Sequence, residues 1–250
     1  MATLATILDR FLAAKDLEQA APRTRVLEQE DSYAVPAFPN EDVYFYITTL
    51  NENYAHPAMP EGAEEGILQG AYKLRDVAAK KSGEKTSLNV RLLGSGAILR
   101  EVEAAAELLA EEHGVSSEVW SVTSFTELRR EGLDAERWSM LHPEEEPRIP
   151  FITRALGGKG PVIAATDYMK AVADGVRPYV PARYKVLGTD GFGRSDYRRR
   201  LRSFFEVDRY HVVVASLKAL ADDQLLPSKR VTEAIAKYGI DPDGPNPARS

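Results

Sequence analysis

The hydrophobic positions of the first forty residues form one helical stripe and then lose their periodicity. Leu4, Ile7, Leu8, Phe11 and Leu12 recur at helical spacing, which predicts an amphipathic helix over residues 3–17. Residues 20–40 combine three prolines with scattered charges and no sustained period. This pattern is typical of a linker or a poorly ordered segment. Residues 1–40 therefore receive no domain assignment.

The densest polar loop of the chain lies between an apolar run and a helical run. Residues 43–48 are predicted to be a buried strand, and residues 63–77 a helix. The loop of residues 51–66 contains Glu52, Asn53 and His56 among several prolines. Such loops commonly carry chemistry, because a rigid strand fixes where their polar side chains point. Residues 78–87 follow as an exposed linker.

From residue 88 onward, strands and helices alternate. The apolar pattern predicts strands at residues 88–93, 118–122, 162–165 and 184–187. The first helix carries an apolar stripe from Ile98 to Leu109 and ends at His113 and Gly114. A strand, a helix and a second strand in succession favour a parallel sheet with a right-handed crossover. The predicted fold class is therefore α/β.

Polar residues that favour N-cap positions precede each later helix, namely Thr166 or Asp167, Ser195, Asp208 and Ser228. Gly239 is predicted to end the last helix. Val212–Val214 alone would favour a strand, but the unbroken stretch from Asp208 favours a helix, which we predict. The stretch around Trp138 and the acidic turn of residues 143–147 are predicted to be irregular.

Composition narrows the class of protein. An apolar share of 44% in 250 residues suffices for one large domain or two small ones. No apolar run approaches the roughly 18 residues that span a bilayer, and no signal-peptide pattern opens the chain, so we expect a soluble cytoplasmic protein. The absence of cysteine excludes disulfides and thiolate metal sites. A net charge of −6 with interspersed signs gives no nucleic-acid footprint.

Two glycine-rich turns are candidate ligand loops. Gly94–Ser95–Gly96 could cradle a phosphate at a helix N-terminus. However, Leu99 stands where a dinucleotide fingerprint has its third glycine, so we favour a structural turn. Gly188–Asp196 contains three glycines and Arg194 after a predicted strand, where open α/β sheets place functional loops. We favour a structural or subunit-contact role for it over direct chemistry.

Four histidines are the next candidates. His56 could exchange a proton with a substrate, because the ordinary pKa of histidine is about 6.5. Neighbouring Glu52 could act as an acid or base, or it could hold the loop through local hydrogen bonds. His113 suits a helix C-terminus. His142 and His211 have no companion at metal-ligand spacing, so we interpret both as structural.

Five runs of the sequence carry a resemblance to a known family: Tyr44–Gly66, Leu93–Gly96, Ser121–Leu128, Glu136–Trp138 and Gly188–Asp196. Together they resemble the C-terminal part of the homodimeric bacterial pyruvate dehydrogenase. That family is the thiamin-diphosphate-dependent, decarboxylating component of the pyruvate dehydrogenase complex. The resemblance covers residues 41–250, and residues 1–40 do not share it. We therefore expect a truncated family member with an unrelated start, or a misread gene start.

The resemblance implies a transketolase-like C-terminal domain over residues 85–250, with a mostly parallel sheet flanked by helices. Residues 41–84 would be the end of a pyrimidine-binding domain and an interdomain linker. The implied reaction is the oxidative decarboxylation of pyruvate, with acetyl transfer to lipoamide on a dihydrolipoyl acyltransferase component. The implied cofactors are thiamin diphosphate and Mg²⁺, and the implied partner is a second copy or a complementary chain. His56 and Glu52 would then be catalytic, and Asn53 would bind the cofactor.

Two features depart from the family pattern. The family often has a histidine directly after Asn-Glu-Asn-Tyr, where this chain has Ala55 and then His56. The family's metal motif, Gly-Asp-Gly followed later by asparagine, is represented only by Thr189–Asp190–Gly191, and the next asparagine is Asn246. A hard cation needs several oxygen ligands, so we expect the isolated chain not to bind the cofactors. A non-catalytic dimerisation or docking module is the alternative.

Overall fold

The computed structural model describes residues 58–80 and 88–250. Its first element is helix α1 (Glu64–Gln69), which ends where Gly70 adopts a left-handed φ of 105°. Strand β1 (Ala71–Val77) follows at once and pairs with a neighbouring strand. The helix predicted over residues 63–77 is therefore wrong in its second half. The physical reason is the glycine, which ends the helix and turns the chain into the sheet.

The remaining strands lie where the apolar runs predicted them, except that β3 begins three residues earlier than predicted: β2 (Leu88–Gly94), β3 (Val115–Val122), β4 (Val162–Ala165) and β5 (Tyr184–Leu187). The sheet order is β1-β3-β2-β4-β5. β1 runs antiparallel to β3, and the other neighbouring pairs are parallel. The mostly parallel α/β class is thus confirmed. Because β1 belongs to this sheet, the sheet begins upstream of residue 85, where we predicted the C-terminal domain to start.

Helices cover both faces of the sheet. Helix α2 (Leu99–Leu108) begins after a 3-10 turn at Gly96–Ile98 and ends in a π-helical turn at Leu109–His113. The later helices are α3 (Phe125–Leu141), α4 (Phe151–Ala155), α5 (Lys170–Asp174), α6 (Arg198–Phe204), α7 (Arg209–Asp222) and α8 (Lys229–Tyr238). Within residues 58–80 and 88–250, no helix is long and apolar enough to cross a membrane.

The core has two layers because side chains alternate along each strand. Val90 and Leu92 of β2 pack with α2, α7 and α8 on one face. Leu93 packs with α3, α4 and α5 on the other face. The sequence of a central strand that is buried on both faces is a nearly continuous apolar run, and β2 has this pattern.

One charged residue interrupts that run. Arg91 is fully buried in β2, and its guanidinium donates hydrogen bonds to the carbonyls of Leu156 and Gly160. Burial lowers its pKa, although the nearby carboxylate of Glu118 acts in the opposite direction. Arg91 therefore fixes the loop that leads into β4.

Helix α3 corrects another expectation. The stretch around Trp138, which we predicted to be irregular, lies in this helix of 17 residues. Ser124 caps it by accepting a hydrogen bond from the Glu127 backbone N–H at 3.1 Å. Ser-x-x-Glu before an apolar run is a known helix-start signature, and it was present in the sequence.

Three of the predicted helix boundaries are confirmed. The helical segment that follows β2 ends at His113, where Gly114 adopts a left-handed φ of 64°. Asp208 caps α7, and its carboxylate accepts hydrogen bonds from the backbone N–H groups of Tyr210 and His211 at 3.1 and 3.0 Å. Gly239 ends α8 with a φ of 64°. The segment that contains Val212–Val214 is helical, as predicted.

The predicted caps Thr166 or Asp167 and Ser195 are wrong, whereas Ser228 occupies its predicted N-cap position without making a capping hydrogen bond. Helix α5 begins at Lys170, and its first N–H donates to the Asp190 carboxylate at 2.8 Å rather than to Thr166 or Asp167. Helix α6 follows Tyr197, so Ser195 does not cap it.

Candidate functional site at the carboxyl ends of the strands

The residues predicted to be catalytic or cofactor-binding, Glu52, Asn53 and His56, lie outside the described residues. Their roles stay predictions. The structure does describe how the chain downstream of their loop is held. The Thr123 hydroxyl donates to the Ile67 carbonyl at 2.9 Å, and the backbone N–H groups of Thr123 and Ser124 donate to the Gly70 carbonyl at 2.9 and 3.0 Å. Helix α1 is therefore fixed to the carboxyl end of β3.

The strand order places a topological switch point between β2 and β4. From β2 the chain moves to β3 on one side, and later it returns to β4 on the other side of β2. Ligands of open α/β sheets commonly bind in the crevice at such a point, beyond the carboxyl ends of the strands. A ligand site is therefore expected at the loops after β2 and β4.

A pair of buried hydroxyls joins these two loops. Ser95 Oγ donates to Thr166 Oγ1 at 2.7 Å, and both side chains are buried. The Thr166 hydroxyl also accepts from the Tyr168 N–H at 3.2 Å. A Cβ on Gly94 would lie 2.8 Å from the Cα of Leu99, so this glycine is needed for the strand and helix to approach closely. These contacts support the structural interpretation of Gly94–Ser95–Gly96.

Asp167 brings charge to the mouth of the crevice. A Cβ on Gly96, which has a φ of 53°, would lie 3.4 Å from its carboxylate. Asp167 is exposed at the surface, but desolvation by the surrounding protein raises the pKa of its carboxyl group, although its own backbone N–H and the charge of Arg202 act in the opposite direction. This carboxyl group therefore holds a proton more readily than a fully solvated aspartate does.

Behind the crevice, one carboxylate links three helices. Glu101 of α2 is 6% exposed. It accepts from Arg202 Nη1 of α6 at 3.0 Å and from Arg209 of α7 through the backbone N–H at 3.1 Å and Nε at 2.8 Å. Burial would raise its pKa, but the hydrogen bonds and charge of Arg209, with the charge of Arg202, lower it overall. Glu101 is therefore ionised and structural.

Sequence reasoning missed Glu101. The available signal was its position one residue before Val102 on the apolar stripe of α2, where a charge must find a buried partner. The arginines that pair with it are separated from it by about a hundred positions in the sequence, so only the fold identifies them.

The loop Gly188–Asp196 follows β5 and lies at the same carboxyl edge of the sheet. Asp190 caps α5, as described above. Gly191 has a φ of 100°, and a Cβ there would lie 2.0 Å from the Pro247 carbonyl oxygen. The C-terminal residues therefore pack directly on this loop, which supports a structural role for its glycine.

The three described histidines have structural contacts. His211 Nδ1 lies 2.7 Å from the Asp208 carboxylate. His142 Nδ1 lies 2.8 Å from the Trp138 carbonyl, and its ring stacks on the Trp138 indole with centroids 4.4 Å apart. His113 Nε2 lies 2.8 Å from the hydroxyl of Tyr238 in α8.

His113 gives the fold a pH dependence. The Tyr238 hydroxyl donates to the Glu112 carboxylate at 2.6 Å, so His113 Nε2–H must be the donor to the hydroxyl oxygen. Burial lowers the pKa of His113; Glu112 opposes this shift, and the charges of Arg230 and Lys237 add to it. The folded state therefore favours neutral histidine more than the unfolded state does.

We expect the free energy of unfolding to fall as the pH drops from 8 through the ordinary histidine pKa, because the unfolded chain then binds a proton that the folded chain resists. In His113→Gln, which keeps an N–H donor without titrating, the fall should be smaller. Urea unfolding at several pH values measures both slopes. Equal slopes in the two proteins, with similar stability at pH 8, would contradict this account.

The described residues do not fit a magnesium–diphosphate group. They contain no cluster of three or more His, Cys, Asp or Glu side chains that could hold a metal ion. Asp190, the aspartate of the partial motif, accepts from the Lys170 N–H and lies 3.8 Å from Lys170 Nζ. Its oxygens thus have protein partners already. The loops at the carboxyl edge are joined to one another by hydrogen bonds and form an ordered surface.

Comparison with known proteins agrees with this architecture. Residues 70–208 match the family described as the transketolase-like TK C-terminal domain. The pyruvate dehydrogenase E1 component of Escherichia coli is 58% identical over 208 residues, and that of Pseudomonas aeruginosa is 56% identical over 209 residues. Each alignment covers 83% of this chain and 23% of the relative. The chain thus spans about a quarter of the length of these relatives.

Among solved structures, transketolase from Leishmania mexicana aligns with a TM-score of 0.39 at 20% identity, over 75% of this chain and 21% of that chain. The family match and the two E1 components are far stronger. With its mostly parallel sheet, its family match over residues 70–208 and its high identity to part of two bacterial pyruvate dehydrogenase E1 components, this chain belongs to the transketolase-like C-terminal domain family.

Proposed function

We propose that this chain is the C-terminal portion of a pyruvate dehydrogenase E1 component and takes part in the oxidative decarboxylation of pyruvate. In that reaction carbon dioxide leaves and the acetyl group passes to lipoamide on a dihydrolipoyl acyltransferase component. The acting unit is larger than this chain. A complementary chain would carry the remaining domains, and a second copy would complete a homodimer, in a cytoplasmic multienzyme complex.

The identity of 58% to the Escherichia coli E1 component, over 83% of this chain, carries the proposal. The match extends across the described sheet and its loops rather than one short motif. Because the chain covers only 23% of that relative, the activity itself is proposed for the assembly.

The contribution of the described residues would be positional. The loop with Glu52, Asn53 and His56 leads into α1, and α1 is hydrogen-bonded to Thr123 and Ser124 at the end of β3. A catalytic group must be held close to its productive geometry, and a rigid supporting element provides this. The domain would therefore anchor the downstream end of the catalytic loop.

Thiamin diphosphate, held with Mg²⁺, would supply the electron sink for decarboxylation. The described residues do not fit that group, as Asp190 illustrates. Its site would lie in parts of the assembly beyond these residues.

A chimera tests the proposal. The C-terminal residues of the Escherichia coli E1 component that match this chain are replaced by residues of this chain, and acetyl transfer from pyruvate to lipoamide is measured with the acyltransferase component. We expect activity within about tenfold of the parent enzyme, since the cofactor supplies the electron sink and the exchanged residues bring their own candidate catalytic loop, residues 51–66. This chain by itself is the matched control and should be inactive.

An inactive chimera that is folded and dimeric would refute the proposal and leave the alternative, a non-catalytic docking or dimerisation module. Turnover by the isolated chain would also contradict it, because the chain would then be a complete enzyme. Calorimetric titration of the isolated chain with thiamin diphosphate and Mg²⁺ provides a second measurement. Binding would indicate that the chain is a complete enzyme, and the proposal expects no binding.

A further inference from the structure

Four large apolar side chains stand exposed in the two loops that follow β4 and β5. Tyr168 and Met169 are each 57% exposed, Tyr197 is 63% exposed and Phe192 is 84% exposed. We call these four residues the aromatic platform. A single exposed apolar residue is ordinary, whereas several on one surface mark an interaction site.

Hydrogen bonds tie the two loops of the platform together. The Thr189 backbone N–H donates to the Tyr168 carbonyl at 3.0 Å, and the Thr189 hydroxyl donates to the Asp167 carbonyl at 2.5 Å. A Cβ on Gly188 would lie 2.7 Å from the Tyr168 carbonyl oxygen. The loops are therefore in direct backbone contact.

The far side of the second loop is also fixed, because Gly191 packs under the Pro247 carbonyl. A surface that is already ordered loses little conformational entropy when it binds. The platform is thus a pre-organised surface.

The platform carries positive charge on an acidic protein. Residues 190–200, which include two of the platform residues, contain four arginines and two aspartates, whereas the whole chain has a net charge of −6. Arg194 stacks over the Phe204 ring at 4.8 Å, and Arg200 is 70% exposed and lies 3.8 Å from Asp196. Exposed aromatic residues interleaved with arginine have the composition of interface hot spots.

The length of the relatives indicates what would cover this surface. About three quarters of an E1 component lies outside the part that this chain matches. That remainder must pack somewhere on the domain if the proposed function is correct, and this inference rests on it. A face with arginines around aromatic side chains suits a partner with an acidic rim and an apolar centre.

We propose that the aromatic platform is the surface on which the preceding domains of the E1 component dock, through an acidic face with an apolar centre. Phe192 and Tyr197 insert at the centre, and the arginines at positions 199 and 200 meet carboxylates at the rim. The docking holds the C-terminal domain against the part of the enzyme that carries the cofactor.

The test uses the full-length chimera described above. Phe192→Ser with Tyr197→Ser removes the centre of the platform, and Arg199→Glu with Arg200→Glu reverses the rim. The matched control is Met140→Ser with Leu141→Ser, a pair on α3 that is 70% and 52% exposed. Each pair is also placed in the isolated chain, where the melting temperature should stay within about 2 °C because the sites are exposed.

Limited proteolysis of the chimera measures how fast the C-terminal domain is released. We expect both platform variants to release it about tenfold faster than the unmodified chimera, and the control pair to stay within about twofold. Unchanged release in the platform variants overturns the inference. Dimerisation of the isolated chain that only the platform substitutions abolish also overturns it, because a second copy would then be the occupant.

The outcomes separate the two proposals. Failure of the proposed function appears as an inactive unmodified chimera. Failure of the docking inference appears as an active chimera whose platform variants behave like the control.

Discussion

Replacing Glu101 with alanine is expected to lower the free energy of unfolding by about 2–4 kcal/mol. The carboxylate is buried and accepts hydrogen bonds from Arg202 and Arg209, so its removal leaves two guanidinium groups without their partner. The full cost of breaking a buried ion pair is about 3–5 kcal/mol. We place the expected cost lower because the Arg209 side chain is 42% exposed and water can solvate it.

Thermal unfolding measures the effect as a fall in Tm of about 5–15 °C for a domain of this size. Glu107→Ala on the same helix is the matched control. Glu107 is 43% exposed and pairs with Arg75 at 2.7 Å, and such surface pairs contribute at most about 1 kcal/mol. If both substitutions had the same small effect, Glu101 would not be the buried link that the distances indicate.

The Glu101 ion pair also predicts the sign of an acid effect. The pKa of Glu101 is lower in the folded chain than its ordinary value. Its stabilising contribution is therefore present above the unfolded pKa and is lost as the pH falls through the folded pKa. The difference in stability between the wild type and Glu101→Gln should accordingly shrink at acid pH.

The parallel strands could be predicted from the sequence because each is a short apolar run bounded by turn residues. β2 and β4 are buried on both faces, so their patterns are nearly continuous and hard to mistake once length is considered. The helix from Asp208 was predictable for a related reason, since its unbroken length outweighed the β-branched run of valines.

β1 could not be recognised from periodicity, since it is an antiparallel edge strand with a mixed pattern of exposure. Its apolar positions continue the spacing of α1, and only Gly70 separates the two elements. A glycine with positive φ was the signal, and it was outweighed by an apparently continuous helical stripe. Tertiary pairing overrode local pattern at this point.

Some features of the candidate site could likewise be predicted from the sequence, and others could not. The turn at Gly94 and the loop at Gly188 could be located because glycine marks close backbone approaches. The Ser95–Thr166 hydroxyl pair and the Glu101 cluster join residues about 70 to 110 positions apart. No spacing rule connects such residues, and they become visible only when the strand order is known.

Replacing His56 with alanine in the chimera is expected to lower kcat for acetyl transfer by about 10²–10⁴-fold, the usual contribution of a positioned general acid or base. The motivation is the polar loop of residues 51–66 and its resemblance to a family loop that bears a histidine at the reactive centre. The described anchor of α1 at Thr123 supports a loop with a fixed downstream end. Steady-state kinetics at saturating pyruvate measures the loss.

The one-place displacement of this histidine supplies the decisive comparison. In the double variant Ala55→His with His56→Ala, the imidazole moves to the position that the family often uses, so activity should return to within about tenfold of the unsubstituted chimera. Glu52→Gln, which keeps the size of the side chain but removes its charge, tests whether Glu52 is a catalytic acid or base. If the His56→Ala chimera were as active as the unsubstituted chimera, the histidine would belong to a structural loop. Another group would then have to transfer the proton.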